Sequence, residues 1–580
     1  MVTTKDPSQT SQVRDGEWDL TVDFVIAGSG GGGLVAALAG ADAGAEVLVL
    51  EKQALIGGST CMSGGIFWIP NNPLMRTEGV EDSYEDAMAH FEEVVGDVGP
   101  CSSPDRRHAF LTEGVAMTTF LQQQGVGLVT CPGYSDYYSN RKGGSDVGRG
   151  LEPLPWNGKK LGSWLDKLQP GLAKSLGMAV KTNEARYLSN YNRSSRAFAT
   201  AARVAIRTVV GRATGRAVLT NGASLVGQLL KLALDRAIPV WTEAPLQELI
   251  VEDGRVVGVR TVRDGIPVAV RARKGVLIAA GGFAHNRAMR AKYSGDQPNE
   301  GKWSMSNPGD TGEAIETAMA LGAQTALMDE AWLMPLPRTG QFGQSTLDQD
   351  RQRPRTIFVD ADGRRFVNES NSYMEVGKAM YARNKTAKAV PCWVIFDDRY
   401  RKSYAHVRSH PGYFPKEMLE SGKLKKASSL HELASMCGID ADGLAETVDH
   451  FNANARRGVD PEFGRGESAY NRSLGDPSRR VVNPALGPID EGPFYACEIL
   501  PGDIGTCGGL LTDEHARVLG PGDQPIAGLY ATGNTTATVM GRHYLGPGAS
   551  IANTMVFGYI AARHAASATD SAVDDISMSN

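Results

Sequence analysis

Residues 21–52 read TVDFVIAGSGGGGLVAALAGADAGAEVLVLEK. The first seven are short, apolar and β-rich, which predicts a buried strand. The small residues 34–45 predict a helix. Residues 46–52 predict a second buried strand that ends in Glu51 and Lys52. Between strand and helix stand Gly28-Ser29-Gly30-Gly31-Gly32-Gly33, five glycines in six positions. They satisfy GxGxxG. The first glycine permits a tight turn, the second lets backbone approach a pyrophosphate, and the third lets helix and strand pack closely. The helix N-terminus then offers unpaired N–H groups and a positive dipole end to phosphates. A carboxylate closing the second strand stands where a ribose hydroxyl binds. A lone GxGxxG would be weak evidence. A merely structural glycine turn would leave the strand, the helix and the acid as coincidences. The stretch is a dinucleotide-binding βαβ unit, and the chain is an α/β protein with a Rossmann-like domain.

The remaining sequence bounds what that unit serves. The chain has 580 residues, 42% apolar and 22% charged, within the range of globular proteins. A net charge of −5 argues against a dedicated nucleic-acid binder. The cysteines number seven and no CxxC occurs, so neither a disulfide framework nor a metal site is expected; reduced thiols suit the cytoplasm. No apolar run reaches the length of a membrane span. Residues 80–125 read as mostly helical, 126–195 as irregular, and 197–236 as one or two helices. Residues 245–282 read as successive strands with a hairpin at Glu252-Asp253-Gly254. A helix is expected over 309–328, and a last one over 549–566. Glycine clusters return after residue 500. The expected organisation is a loose arm, 1–20, and a dinucleotide-binding domain, 21–328 plus 498–568. An inserted α+β catalytic domain, 329–497, interrupts it, and a tail, 569–580, follows.

Three further segments discriminate between dinucleotides. Gly57-Gly58-Ser59-Thr60 with Ser63-Gly64-Gly65 follows Glu51. Ala279-Ala280-Gly281-Gly282 closes a mid-chain strand, and Gly528–Asn534 closes a late one. This order resembles the succinate dehydrogenase and fumarate reductase flavoprotein superfamily, in which such segments surround one FAD. The resemblance implies a cofactor set of Gly28 to Gly33 with Ser29, Glu51, Lys52, Gly58, Ser59, Thr60, Ser63, Gly64 and Gly65. It adds Ala280, Gly281, Gly282, Asp310, Gly533, Asn534, Ser550 and Ile551, with the last helix aiming its N-terminus at the flavin ring. Covalent members carry a histidine where this chain has Ser59, so non-covalent FAD is implied.

SGGIFWIPNN (63–72), PGYSDYYS (132–139), GRRFVNESNSY (363–373), FGRGESAY (463–470) and YLGPG (544–548) resemble 3-ketosteroid 1-dehydrogenases. The similarity runs from about residue 22 to 566. By that resemblance, Tyr544 and the Gly548 N–H hold a ketone oxygen, and Tyr373 takes the proton from the adjacent carbon. Tyr137, or its neighbour Tyr138, hydrogen-bonds Tyr373, and the next carbon gives hydride to flavin N5. Donors aimed at a developing enolate lower the barrier to α-proton removal. A phenol is a poor base near neutrality unless its surroundings favour phenolate or pass the proton on. Any one tyrosine is more often a half-buried aromatic; the conjunction of segments argues otherwise here. Phe67, Trp68, Tyr134 and Trp332 are expected in an apolar substrate pocket, although each alone is more often core. The chain departs from the family pattern at Ser372 and Leu545, where proline is common, and at Ala549–Asn553. These changes bear on the substrate more than on the reaction.

The implied substrate is a cyclic ketone, foremost a 3-ketosteroid, with a small ketone such as cyclohexanone or 4-oxocyclohexanecarboxylate as the alternative. Other readings are a fumarate- or enoate-type reductase, desaturation at carbons 4 and 5, and a flavoprotein without substrate chemistry. Arg542 and His543 share a loop, but the paired His-plus-Arg segments of fumarate reductases are missing. Electrons must pass to an external acceptor, a quinone being one class. From Ala185 to Leu234 there are seven Arg, one Lys and no acid. With Phe198, Val204, Ile206, Val209 and Val210 interleaved, this segment reads either as a face for an anionic membrane or as a solvated helical face.

Overall fold

The computed structural model describes residues 18–171, 177–188, 190–295, 301–338, 350–406, 409–478 and 481–568. Most of the expected arm and the whole of the expected tail lie outside these residues. The arm ends earlier than expected: strand β1 is Leu20–Ala27, and the Asp19 carboxylate already accepts a hydrogen bond from the Ala269 N–H. In chain order there follow α1 (Gly31–Asp42), β2 (Val47–Leu50), α2 (Thr182–Leu188), α3 (Ser195–Ala213), α4 (Asn221–Asp235), β3 (Val240–Trp241), β4 (Glu248–Glu252), β5 (Arg255–Arg263) and β6 (Ile266–Ile278). Then come β7 (Ala331–Pro337), β8 (Thr356–Val359), α5 (Tyr373–Asn384), β9 (Cys392–Asp397), β10 (Leu424–Ala427), β11 (Phe494–Thr506), β12 (Arg517–Leu519), β13 (Pro525–Ala531) and α6 (Ala549–Ser567).

The larger sheet has eight strands in the order β12-β13-β6-β1-β2-β3, with β5 and β4 continuing from β6 as antiparallel hairpins. β13, β6, β1, β2 and β3 are mutually parallel. Strands buried on both faces need continuous apolar sequence, and β1 and β2 supply it. The β4–β5 turn is Asp253-Gly254, both at positive φ, the backbone twist a two-residue hairpin demands. A second such turn, Asp264-Gly265, joins β5 to β6. The helix expected over 309–328 shortens to Glu313–Met319, because residues 325–326 pair as a strand with Gly509–Leu510.

The second sheet is antiparallel, β7-β11-β9-β8 with β10 also on β11. β11 runs from 494 to 506, across the 497/498 boundary expected from sequence, and returns the chain continuously from this sheet toward the dinucleotide domain. α1 and α6 pack closely, with Gly32 and Gly558 in backbone contact. Among the described residues no helix is long and apolar enough to cross a membrane. All seven cysteines are unbridged.

Candidate active site

A cavity of about 730 Å³ runs between the sheets. One part of its wall is the β1–α1 turn: Gly28, Ser29 and Gly30 line it, and Glu51 and Lys52 lie beside them at the end of β2. Gly28 has φ +118, and a Cβ there would stand 2.1 Å from the Ala279 carbonyl oxygen. Glu51 accepts from the Ser29 N–H at 3.2 Å and hydroxyl at 2.5 Å, and from the Gln53 N–H at 2.9 Å. These bonds hold the carboxylate at the cavity wall. Lys52 Nζ donates to Thr311 Oγ1 at 2.6 Å and pairs with Glu313.

Gly58, Ser59, Thr60, Ser63, Gly64, Gly65, Ala280, Gly281, Asp310, Asn534, Ser550 and Ile551 also line the cavity. Gly31, Gly32, Gly33, Gly282 and Gly533 do not. Gly31 donates its N–H to Thr60 Oγ1, Gly33 lies against the Gly28 carbonyl, and Gly32 and Gly533 both meet Thr554. Gly282 meets Thr506. These glycines serve close packing beneath the cavity. Ser59 donates to Asp310 at 3.0 Å and accepts from the Asn307 N–H at 2.8 Å. Burial pushes the Asp310 carboxyl up to about 7, against the pull of Ser59, Ser306 and Lys52.

Another part of the wall is aromatic. Tyr134, Tyr137, Tyr373, Tyr544 and Gly548 all line the cavity. The Tyr373 and Tyr544 rings lie 5.0 Å apart; Tyr137 sits 5.2 Å from Tyr373 and 5.6 Å from Tyr544. Tyr138 turns away and donates to Glu375 Oε1 at 2.8 Å, so Tyr137 is the member of the pair that joins the cluster. The Tyr544 hydroxyl lies 3.1 Å from Ser550 Oγ. Burial raises the Tyr544 phenol above its ordinary value, opposed by hydrogen bonds from Ser550, Tyr373 and the Gly548 backbone. A phenol is already protonated at neutral pH, so this hydroxyl is available as a donor. Gly548 caps α6 at φ +85; a Cβ there would meet the Ile66 carbonyl oxygen at 2.0 Å.

Three expected pocket residues lie elsewhere. Phe67 and Trp68 are fully buried, and Trp68 stacks on Phe110 and donates to Asp136 at 2.7 Å. Trp332 stands edge-on behind Tyr544 at 5.1 Å and donates to Asn534 at 3.0 Å. Large aromatics with a satisfied N–H belong in a core. Asn553 is buried and accepts from the Val539 N–H.

Sequence reasoning passed over two features. Tyr470 packs its ring 4.3 Å from Tyr137; its membership of FGRGESAY was the available signal. The second is the link between that motif and GRRFVNESNSY. Buried Glu369 takes Arg365 at 2.9 Å and Arg465 at 3.0 Å, and Asn368 donates to the Phe463 carbonyl and to Asn471. Burial alone would raise the Glu369 carboxyl, yet the two guanidiniums hold it below the usual range. This lock fixes the segments that carry Tyr373 and Tyr470. Arg542 is spent on Asp329 and Glu330, and burial holds His543 below its ordinary value, so that loop offers no free cationic pair to a dicarboxylate.

The donor set fits FAD. Glycine backbone at Gly28 and Gly30 lines the cavity, a carboxylate ends β2 beside it, and the same cavity reaches the tyrosines. A family model described as FAD binding domain matches residues 23–551. The chain belongs to that family of FAD flavoproteins and is an oxidoreductase. Within the family it falls with the 3-oxosteroid 1-dehydrogenases, enzymes acting on CH–CH groups. The 3-oxosteroid 1-dehydrogenase of Mycolicibacterium smegmatis is 40% identical over 93% of this chain and 96% of its own. The 4-oxocyclohexanecarboxylate 2-dehydrogenase of Sinomonas cyclohexanicum is 33% identical over 94% and 92%. The crystal structure of 3-ketosteroid Δ1-dehydrogenase from Sterolibacterium denitrificans with 1,4-androstadiene-3,17-dione matches at TM-score 0.89 and 34% identity, covering 95% of this chain and 100% of that one.

Proposed function

We propose that the chain removes hydrogen from carbons 1 and 2 of a 3-ketosteroid, forming a double bond beside the ketone. The observation that carries this reading is the meeting of Tyr373, Tyr544 and Gly548 on one cavity wall. Tyr544 and the Gly548 N–H hold the ketone oxygen and stabilise the enolate that develops on it. Tyr373 takes the proton from carbon 2, and Tyr137 beside it supports the phenolate. FAD held at Gly28, Ser29, Gly30 and Glu51 would supply the acceptor for the hydride that leaves carbon 1. The apolar rings around the ketone exclude water, which strengthens both donors.

Non-covalent FAD belongs to the same proposal: Ser59, hydrogen-bonded on both sides, carries no group suited to a covalent link to the flavin. So do an external electron acceptor of the quinone class, a cytoplasmic setting, and peripheral membrane contact through residues 185–234. The relatives' names, a 3-oxosteroid enzyme at 40% and a monocyclic ketone enzyme at 33%, support a 4-oxo ring or its steroid equivalent as substrate.

The test is anaerobic mixing of the oxidised protein with androst-4-ene-3,17-dione while following the flavin's long-wavelength absorbance. Prompt bleaching with a 1,4-diene-3-one product, located by NMR, is expected. No bleaching by the steroid but bleaching by 4-oxocyclohexanecarboxylate would move the substrate to small ketones. Reoxidation of reduced protein by fumarate would overturn desaturation.

A further inference from the structure

Each tyrosine of the ketone site has a polar neighbour in sequence that turns away from the cavity. Tyr138 follows Tyr137, Glu375 stands two residues after Tyr373, and His543 precedes Tyr544. These three side chains meet one another behind the cavity wall. The Tyr138 hydroxyl donates to Glu375 Oε1 at 2.8 Å, and its ring stands edge-on to the His543 imidazole at 5.8 Å. His543 Nε2 lies 4.0 Å from the same carboxylate oxygen. The Tyr544 backbone N–H and the Ser372 hydroxyl also face the Tyr138 oxygen. One phenol oxygen thus gathers a carboxylate of α5, the residue before Tyr373 and the backbone of Tyr544. Tyr137 donates its own N–H to the Leu545 carbonyl at 2.9 Å, which ties the same two loops a second time.

The residues involved are not spent on local structure. Ser372 is the N-cap of α5, where a serine side chain ordinarily accepts from a helix N–H, yet it makes no capping bond. It stands where the family pattern commonly has proline, which carries no hydroxyl. Glu375, in the first turn of α5, suits the helix dipole, but it is also the acceptor for Tyr138. Lys378, one turn further on, donates to the Arg542 carbonyl and so holds the loop of His543 and Tyr544 against the same helix. Burial and the Glu375 charge raise the Tyr138 phenol well above its ordinary value. That disfavours its phenolate and leaves it a donor to the carboxylate rather than a second base.

We propose that Glu375 is a positioning residue for the α-proton step: through the Tyr138 hydroxyl, its carboxylate fixes the spacing of Tyr373 and Tyr544 around the ketone. Tyr373 opens α5 and Tyr544 sits in a loop, with their rings 5.0 Å apart. The path from α5 through Glu375 and Tyr138 to the Tyr544 N–H joins the two. Misplacement of a reacting group by about 1 Å costs about 10²-fold in rate. The role in catalysis rests on the ketone-desaturation reading above; the hydrogen-bonded path does not.

The test takes FAD-loaded Glu375→Ala, Glu375→Gln, Tyr138→Phe and the Glu375→Ala Tyr138→Phe double variant through anaerobic stopped-flow reduction by androst-4-ene-3,17-dione. Flavin content after gel filtration should match wild type in each. Glu375→Ala should slow flavin reduction about 10–100-fold and change steroid affinity about twofold or less. Steroid deuterated at carbon 2 should show a larger isotope effect than in wild type, because a misplaced Tyr373 slows the proton step in particular. Glu375→Gln keeps an acceptor oxygen but loses the charge at the helix start. Recovery of most of the rate in that variant separates positioning from helix stability. The losses in the two single variants should not add in the double variant, since both remove one bond. A crystal structure of Glu375→Ala reads the geometry with no ketone present, and its Tyr373–Tyr544 ring separation should depart from 5.0 Å. Wild-type protein that no ketosteroid reduces would overturn the steroid reading, and that crystal structure would still decide this one. An unchanged ring separation, an unchanged rate, additive losses, or a loss confined to steroid affinity would each overturn the proposal.

Discussion

The two parts of the cavity wall are made differently. The glycine turn comes from one contiguous stretch, residues 20–51, and acts through backbone: a positive φ at Gly28, helix N–H groups and one carboxylate. The tyrosine cluster draws on segments around residues 137, 373, 470 and 544 and acts through side chains. The first is specified by local backbone conformation, with the Ala279 carbonyl after β6 closing the space beside Gly28. The second exists only when β11 and the Arg365–Glu369–Arg465 lock bring distant segments together. Cofactor retention and catalysis should therefore fail separately.

Gly28→Val is the harshest test of that separation. Its Cβ would collide with the Ala279 carbonyl in a backbone conformation closed to valine. Complete loss of flavin, measured by absorbance after gel filtration, is expected. Tyr373→Phe should do the reverse, retaining flavin while kcat falls about 10²–10⁴-fold, and Tyr544→Phe about 10²–10³-fold, in stopped-flow reduction. Flavin loss in either tyrosine variant would break the comparison. Glu369→Gln leaves two buried guanidiniums short of charge and should cost about 3–5 kcal/mol in denaturant unfolding. Its effect should fall on the tyrosine cluster before the glycine turn.

The gentlest test is pH. The Asp310 carboxyl is raised to about 7 from an ordinary 3.8. The folded chain thus binds a proton more tightly than the unfolded one. The resulting stability is fully present below the ordinary value and is lost as pH rises through about 7, amounting to about 4 kcal/mol at most. The flavin-free protein should therefore lose thermal stability from about pH 4 to about pH 7, and Asp310→Asn should flatten that part of the profile.

How far the residue order could be read followed the same division. The strand–turn–helix–strand, the hairpin at Asp253-Gly254 and the last helix were legible because each is written in local periodicity or in a glycine's φ. Phe67 and Trp68 were misjudged because an aromatic beside a glycine motif reads alike in a core and in a pocket; the Asp136 acceptor, 68 residues from Trp68, separates the two. Tyr137 and Tyr138 are adjacent and chemically identical. Only Glu375, at the start of α5, draws Tyr138 aside and leaves Tyr137 to the cluster. The basic segment showed its composition but not which side of α3 faces inward; in the fold Ala197, Thr200, Val204 and Gly211 are buried and Arg207 pairs with Glu184. Backbone geometry and periodicity, set over a few residues, gave this protein its dinucleotide fold from the order of its residues. Side-chain convergence depends on packing between segments up to some 400 residues apart, and the folded chain alone selected its tyrosines, its lock and its exposed face.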